Sequence, residues 1–415
     1  MMSQKPSGKK TALVLGGTAP HIELIQQLKA MSYFVVLIDY LENPPAREYA
    51  NIHVRESTLD VDAVLRVAKE YCADLVISAC IDQSNSVCCY VAEKLELPHP
   101  YSYETSILVT VKSEMKRIMV ANGVPTSWFY EIDNSTEVNW SQIEFPAVVK
   151  PVDCNSSKGV KKVVNIEEAR EVILEDIKLS RVGKAIIEGY VEGTEIQVDC
   201  FATDNSADVI LTRQKKQIKR DFGGELNSEG SIIPAPVCIG LSDSLKDIAK
   251  RIARAFGLKN TPFFYQAIID ADGVVNVLEF APRVGGGLSY YILNNIAGFN
   301  AIHAVINSYL GIREPVSYKE LDHYYSTNLL YMNKGTFDHI KGFDEAKQQG
   351  LVVESFVTKE RGTTIGSKLR SGNRVGAFIC EADSIEELKE KEKQTYALVD
   401  IIDTDGKSQM RDWRK

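Results

Sequence analysis

Several groups of residues in this 415-residue sequence could do chemistry. The most specific lies late in the chain, where Tyr265 to Asp270 and Val277 to Arg283 flank Asp272-Gly273. The Asp-Gly pair marks a hairpin, so Gln266 and Glu279 can project from one face of two paired strands. Glu279 stands between apolar residues and needs a cation or a donor. A carboxylate with a second oxygen ligand suits magnesium held against phosphates. Arg283, just beyond, would stabilise charge on a transferring phosphoryl group. Gly285-Gly286-Gly287 then lets the backbone pass close to a ligand. The bland alternative is a hairpin with a buried Glu279–Arg283 ion pair.

A second group is Phe145 to Pro151, followed by Asp153 to Val160. Lys150 closes an apolar strand, where an ammonium needs an anion. Ser157, Lys158 and Gly159 belong to a small, polar segment that could fold N–H groups over phosphates. The alternative is a surface hairpin with a snorkelling lysine. In a third group Glu188, Tyr190, Val191, Glu192 and Glu195 punctuate a β-rich stretch. It reads either as a solvated strand face or as an edge that offers backbone groups to a purine and a carboxylate to a ribose. A fourth, Gly16-Gly17-Thr18 after the opening strand, is a tight turn or a dinucleotide loop with Asp39 as the ribose acid. The G-x-G-x-x-G fingerprint is absent.

These residues need elements to hold them. The first hundred residues alternate apolar runs (Thr11–Leu15, Phe34–Ile38, Leu75–Cys80) with helical spacing (His21–Met31, Val61–Tyr71, Asn85–Leu95). That alternation predicts a parallel sheet with helices on both faces. A helix over Lys112–Asn122 ends at Gly123 and Pro125. Beyond Asn134 the pattern is α+β: strands at Ala147–Lys150, Lys161–Val164, Ala185–Val191, Glu195–Ala202 and Val209–Arg213, with a helix at Ile166–Leu179. The rest gives helices at Ser242–Phe256 and Ala297–Leu310. From about Tyr325, strands return at Thr327–Tyr331, Val352–Val357 and Val375–Ile379, before a charged helix at Ile385–Val399.

Composition excludes other classes. A net charge of −8 argues against general affinity for nucleic acid or an anionic membrane. No run of about 18 apolar residues exists to span a bilayer. The eight cysteines form no C-x-x-C pair and mostly lie in apolar stretches, so a reducing, cytoplasmic setting is expected. The polar, basic start, Met1–Lys10, lacks the apolar stretch of a signal peptide.

Taken in order, the motifs resemble the ATP-grasp ligase superfamily. Lys112 with Met115-Lys116 and Gly123-Val124-Pro125 looks like that family's first lysine and its helix. Lys150 looks like the second nucleotide lysine, Glu188 to Glu195 like the hinge strand, and Glu279 to Gly286 like the metal-binding signature. Asn43-Pro44-Pro45-Ala46 and its surroundings are similar to the domain that precedes the grasp in biotin carboxylase, carbamoyl-phosphate synthase large chains and phosphoribosylglycinamide synthetase-like enzymes. Leu369 to Gly376 resembles their C-terminal domain. The resemblance implies a Rossmann-like pre-ATP-grasp domain (1–110), an ATP-grasp core (111–315) and a small C-terminal α+β domain (316–415).

It also implies roles. Lys112 and Lys150 take the α- and β-phosphates of ATP, Glu188, Tyr190 and Val191 lie beside adenine, and Glu195 takes the ribose. Glu279, supported by Gln266, holds Mg2+, for which Mn2+ can substitute. Arg283 stabilises the acylphosphate, while Arg213, Lys215 and Lys219 face the γ-phosphate or an anionic substrate. Asp221 to Gly224 begins a candidate lid. Two departures stand out: Gln266 occupies the place of the family's first metal acid, and Ala281 that of the signature's asparagine. The implied activity is ATP-dependent joining of a small carboxylate to an amine, in a cytoplasmic homodimer. ATP binding with little catalysis and nicotinamide-dependent oxidoreduction are the competing readings.

Overall fold

The computed structural model describes residues 8–154, 158–204, 206–218, 228–367, 369 and 371–412. Its first layer follows from the continuous apolar runs. Thr11–Leu15, Phe34–Ile38 and Leu75–Ile77 are buried at every position, so both faces of their sheet need cover. The strands are parallel, in the order Ile52–Val54, Phe34–Ile38, Thr11–Leu15, Leu75–Ile77. Helices Ala19–Ala30, Val61–Glu70 and Asp82–Lys94 alternate with them. The second helix buries Ala63, Val64, Val67 and Ala68, and Asp60 caps it by accepting from the Ala63 N–H at 3.0 Å. The last strand is shorter than the apolar run to Cys80 predicts. Ser78 donates its hydroxyl to the Leu15 carbonyl at 2.8 Å, and the chain turns into a helix that begins at Asp82 instead of Asn85.

A small antiparallel sheet follows, ordered Phe129–Ile132, Ala185–Gly189, Ala147–Pro151, Lys161–Val163. Helix Ile166–Leu179 covers one face with Ala169, Val172, Ile173 and Ile177. Its start is a reciprocal cap: Asn165 accepts from the Glu168 N–H at 2.9 Å, and the Glu168 carboxylate accepts from the Val164 N–H at 3.1 Å. The other face of the sheet is left to the cleft.

The opposite wall is an eight-stranded antiparallel sheet. Its order is Val275–Ala281, Thr261–Ile269, Thr194–Ala202, Ala207–Gln217, Ser228–Ile233, Tyr324–Tyr331, Arg374–Ala382, Glu354–Val357. Helix Ser242–Ala255 packs behind it through Leu245, Ile248, Ala249 and Ile252. The sheet runs across residue 315, so strands of the C-terminal part continue the core sheet. At the seam, Gly230 has φ +147, and a Cβ there would sit 1.8 Å from the Thr327 carbonyl oxygen. Only glycine permits that approach. A three-stranded sheet (Thr364–Ile365, Gly335–Lys341, Asp400–Asp403) and helix Ile385–Leu398 complete the C-terminal part. No helix among the described residues is long and apolar enough to cross a membrane.

Asp176 is the one acid on the inner side of helix Ile166–Leu179, 2 % exposed. A Cβ on Gly159 would lie 2.7 Å from its Oδ1. Burial pushes its carboxyl from 3.8 up to about 7. A carboxyl raised on folding contributes stability that is full below its unfolded pKa and is lost as pH rises through the folded value. Asp176→Asn is therefore expected to be more stable than the parent at pH 8 by on the order of 2 kcal/mol, with the gain shrinking towards pH 4. Urea unfolding at the two pH values checks this, and a pH-independent difference would refute it.

Candidate active site

Between the two sheets, and closed at one end by the N-terminal layer, lies a cavity of about 660 Å³. Strand alternation decides which side chains reach it. On the small sheet Val148 pairs with Glu188, and Lys150, two residues on, shares their face. Lys150 and Glu188 are buried, with Nζ 2.6 Å from Oε1. Lys116, from helix Lys112–Ala121, sits 2.8 Å from Oε2 of the same carboxylate. Burial alone would raise the Glu188 carboxyl, but the two ammoniums outweigh it and hold it at about 2. Lys112 donates to the Cys154 carbonyl at 2.5 Å, and burial pulls its ammonium pKa down.

Of the loop residues, Val160 lines the cavity. Lys158 is exposed, Gly159 turns back against Pro151 and Asp176, and Ser157 lies outside the described residues. The strand predicted to reach Val191 stops at Gly189, where a Cβ would lie 2.7 Å from the Trp128 indole nitrogen. Tyr190 and Val191 then line the cavity, with the Lys162 ammonium 3.7 Å from the centre of the Tyr190 ring.

The large sheet presents its own row. Glu195, Gln197 and Asp199 alternate along strand Thr194–Ala202. Lys215 pairs with Glu195, which also accepts from Gln217 at 2.9 Å. Arg213 is buried, its Nε 2.7 Å from Asp199 Oδ2, and it donates to the Ser289 hydroxyl at 2.8 Å. Gln266 and Glu279 are direct register partners. With its amide oriented to suit both neighbours, Gln266 donates to Glu279 Oε1 at 3.2 Å and accepts from Lys215 Nζ at 3.3 Å. Arg283 does not pair with Glu279. Its guanidinium grips both oxygens of Asp82 at the start of helix Asp82–Lys94 and donates to the Val284 carbonyl at 3.0 Å. Lys219 and the Asp221 to Gly224 segment lie outside the described residues.

The structure thus gathers Lys112, Lys150, Glu188, Tyr190, Val191, Glu195, Arg213, Lys215, Gln266, Glu279 and Arg283 around one cavity. Three of their partners, Asp199, Asp82 and Lys116, have no role in the reading from sequence. Asp199 was legible from the period-two row that starts at Glu195. Asp82 sits where a parallel strand hands over to a helix, a common place for a functional acid. Lys116 carried no local signal beyond its motif.

The N-terminal turn takes no part. The Gly17 N–H donates to Asp39 Oδ2 at 2.8 Å, and Asp39 Oδ1 accepts from the Leu41 N–H at 2.9 Å. Pro44 covers the turn, since a Cβ on Gly17 would lie 2.5 Å from its own Cβ. The acid and the N–H that a dinucleotide would use are each other's partners.

For a divalent ion, the described residues hold no cluster of three or more His, Cys, Asp or Glu side chains. The Glu279 carboxylate, with the Gln266 amide oxygen turned to it from Lys215, would be a two-donor oxygen set. That fits magnesium, which commonly takes one or two protein carboxylates and completes its shell with phosphate oxygens and water.

Residues 143–291 match the ATP-grasp domain, and residues 328–402 match the L-amino acid ligase C-terminal domain 2. Residues 143–291 therefore form an ATP-grasp domain. Among ATP-grasp relatives, the chain is 25% identical over 411 residues to a formate-dependent phosphoribosylglycinamide formyltransferase of Ignicoccus hospitalis, covering 95% of this chain and 97% of the relative. The crystal structure of an L-amino acid ligase from Bacillus licheniformis superposes with a TM-score of 0.77 at 20% identity, covering 95% and 99% of the two chains. The biotin carboxylase domain of Hydrogenobacter thermophilus 2-oxoglutarate carboxylase, solved with MgADP, ADP and bicarbonate, gives 0.76 at 14% identity, covering 96% and 91%. The fold of these structures therefore extends over nearly the whole chain.

The Asp82–Arg283 clasp joins the N-terminal layer to the cleft wall. Asp82→Ala is expected to cost about 3 kcal/mol, because it strands a largely buried guanidinium. Adding Arg283→Met should recover most of that loss. Unfolding midpoints of the two variants check this; a double variant no more stable than the single one would refute it.

Proposed function

We propose that this ATP-grasp protein is an ATP- and Mg2+-dependent ligase that joins a small carboxylate to an amine through an acylphosphate. The observation that carries the reading is the cavity itself, with Lys112 and Lys150 on one wall facing an oxygen-donor pair and three arginines, Arg213, Arg283 and Arg374, on the other. It has the volume of an ordinary small-ligand site. Adenine would lie along Glu188 to Val191 and the ribose near Glu195. Lys112 and Lys150 would hold the α- and β-phosphates.

Glu279 and Gln266 would hold magnesium, which supplies charge neutralisation on the phosphates when bound. Lys215 and Arg213 bring positive charge to the γ-phosphate end. Phosphoryl transfer breaks the bond from the γ-phosphorus to the ADP oxygen and forms one to a substrate carboxylate oxygen. The amine then attacks the acyl carbon, the carbon–oxygen bond to phosphate breaks, and the nitrogen loses a proton. Catalysis on this plan is positioning and electrostatic stabilisation. Arg283, fixed by Asp82, would neutralise the acylphosphate.

The match of residues 328–402 to an L-amino acid ligase domain favours an α-amino acid as one of the two substrates. A homodimer in the cytoplasm is part of the same reading, supported by the dimeric carboxylase domain among the similar structures. ATP binding without turnover is the second reading, and Gln266 in place of an acid is what favours it.

Glu279→Ala is expected to lower Mg-ATP-dependent phosphate release by at least about 100-fold while leaving the fold intact. Turnover like the parent's in that variant would sink the metal assignment. Lys150→Ala should raise the Kd for ATP about tenfold by calorimetry. An unchanged Kd would remove Lys150 from the phosphate cradle.

A further inference from the structure

Lys116 stands just behind the cleft wall, a charged group at 0 % exposure. It shares a carboxylate with Lys150: the two ammoniums lie 2.8 and 2.6 Å from the two oxygens of Glu188. The lysines are held very differently. Lys116 also donates to the Thr126 hydroxyl at 2.6 Å and to the Ser127 hydroxyl at 3.3 Å, and Thr126 in turn donates to the Val277 carbonyl at 2.7 Å. It is pinned to the helix Lys112–Ala121 side and to the large sheet. Lys150 rises from strand Ala147–Pro151 beside the cavity, with Glu188 as its side-chain partner among the described residues.

Electrostatics makes this asymmetry consequential. Were Lys150 the only partner of Glu188, drawing its ammonium onto a phosphate would leave a buried carboxylate unpaired, a penalty that offsets the new contact. With Lys116 fixed on the second oxygen, Glu188 stays paired throughout. Two ammoniums against one carboxylate also leave a buried surplus of one positive charge, which an incoming phosphate would neutralise. We propose that Lys116 is a positioning residue that releases Lys150 to the nucleotide by standing in for it on Glu188. This rests on the reading of the cavity as an ATP site.

The test is calorimetric titration of the full-length protein with ATP and magnesium. Lys116→Met is expected to raise the Kd about tenfold, because Glu188 then retains Lys150. Combining it with Glu188→Gln should bring the Kd back to that of Glu188→Gln alone, since no carboxylate remains to hold Lys150. Loss of packing would not be rescued in this way. A parent-like Kd for Lys116→Met, alongside a weakened Lys150→Ala, would overturn this proposal and leave the ATP site standing. The same tenfold loss in the Glu188→Gln background would also overturn it. A parent protein that binds no ATP would overturn the site reading and this proposal together. Should Lys116→Met not fold, Lys116→Gln carries the same expectations.

Discussion

A cation enclosed between two sheets cannot remain unpaired, and the cleft is built around that constraint. Arg374 rests on the Tyr331 hydroxyl, and four other positive groups that reach the cavity are each matched at rest to a carboxylate of the same chain. Lys150 has Glu188, Arg213 has Asp199, Lys215 has Glu195, and Arg283 has Asp82. The pairing lets a protein of net charge −8 keep several cations around one cavity. The acids compensate the site locally, and a polyanionic substrate would have to exchange places with some of them.

The two sheets divide this work because their strands differ in what they must bury. The small sheet is covered on one side by a single helix and gives its other face to the cavity. The large sheet has the helix Ser242–Ala255 behind it, and its alternate residues are free to be Glu195, Gln197, Gln266 and Glu279. The parallel sheet, buried on both faces, contributes no strand residue to the chemistry. It offers Cys80 to Asp82, where its last strand gives way to a helix.

Much of this was legible in the sequence because local periodicity and a few costly residues coincide. A lysine ending an apolar strand and a glutamate within one, at Lys150 and Glu279, can be read without neighbours. The hairpin of Gln266 and Glu279 was legible from Asp272-Gly273. What stayed hidden depended on partners distant in the chain. Phe129–Ile132 and Ser228–Ile233 lack an apolar run: the first is an edge strand paired with Ala185–Gly189 alone, and the second lies between Ala207–Gln217 and Tyr324–Tyr331. The continuation of the core sheet past residue 315 depends on Gly230 meeting Thr327, almost a hundred residues away. Asp82 and Arg283 are separated by 201 positions and look ordinary until folding places them together. Helix starts shifted for a local reason, as at Ser78, whose hydroxyl ended a strand that apolarity alone would have prolonged.

The close approach at Gly230 has a mechanical side. Because the core and C-terminal strands form one hydrogen-bonded sheet, that half of the molecule resists bending at the seam as a single plate. The small sheet is attached otherwise. Residues 129–189 leave and rejoin the rest through two short segments, 122–128 and 190–193, and the second is held where Gly193 presses on the Ile269 carbonyl. Two covalent straps therefore join the small sheet to a continuous plate, the second strap running beside Tyr190 and Val191 of the cavity lining. Any widening of the cleft would have to come from the small sheet, since the hydrogen-bonded plate has no break at the seam.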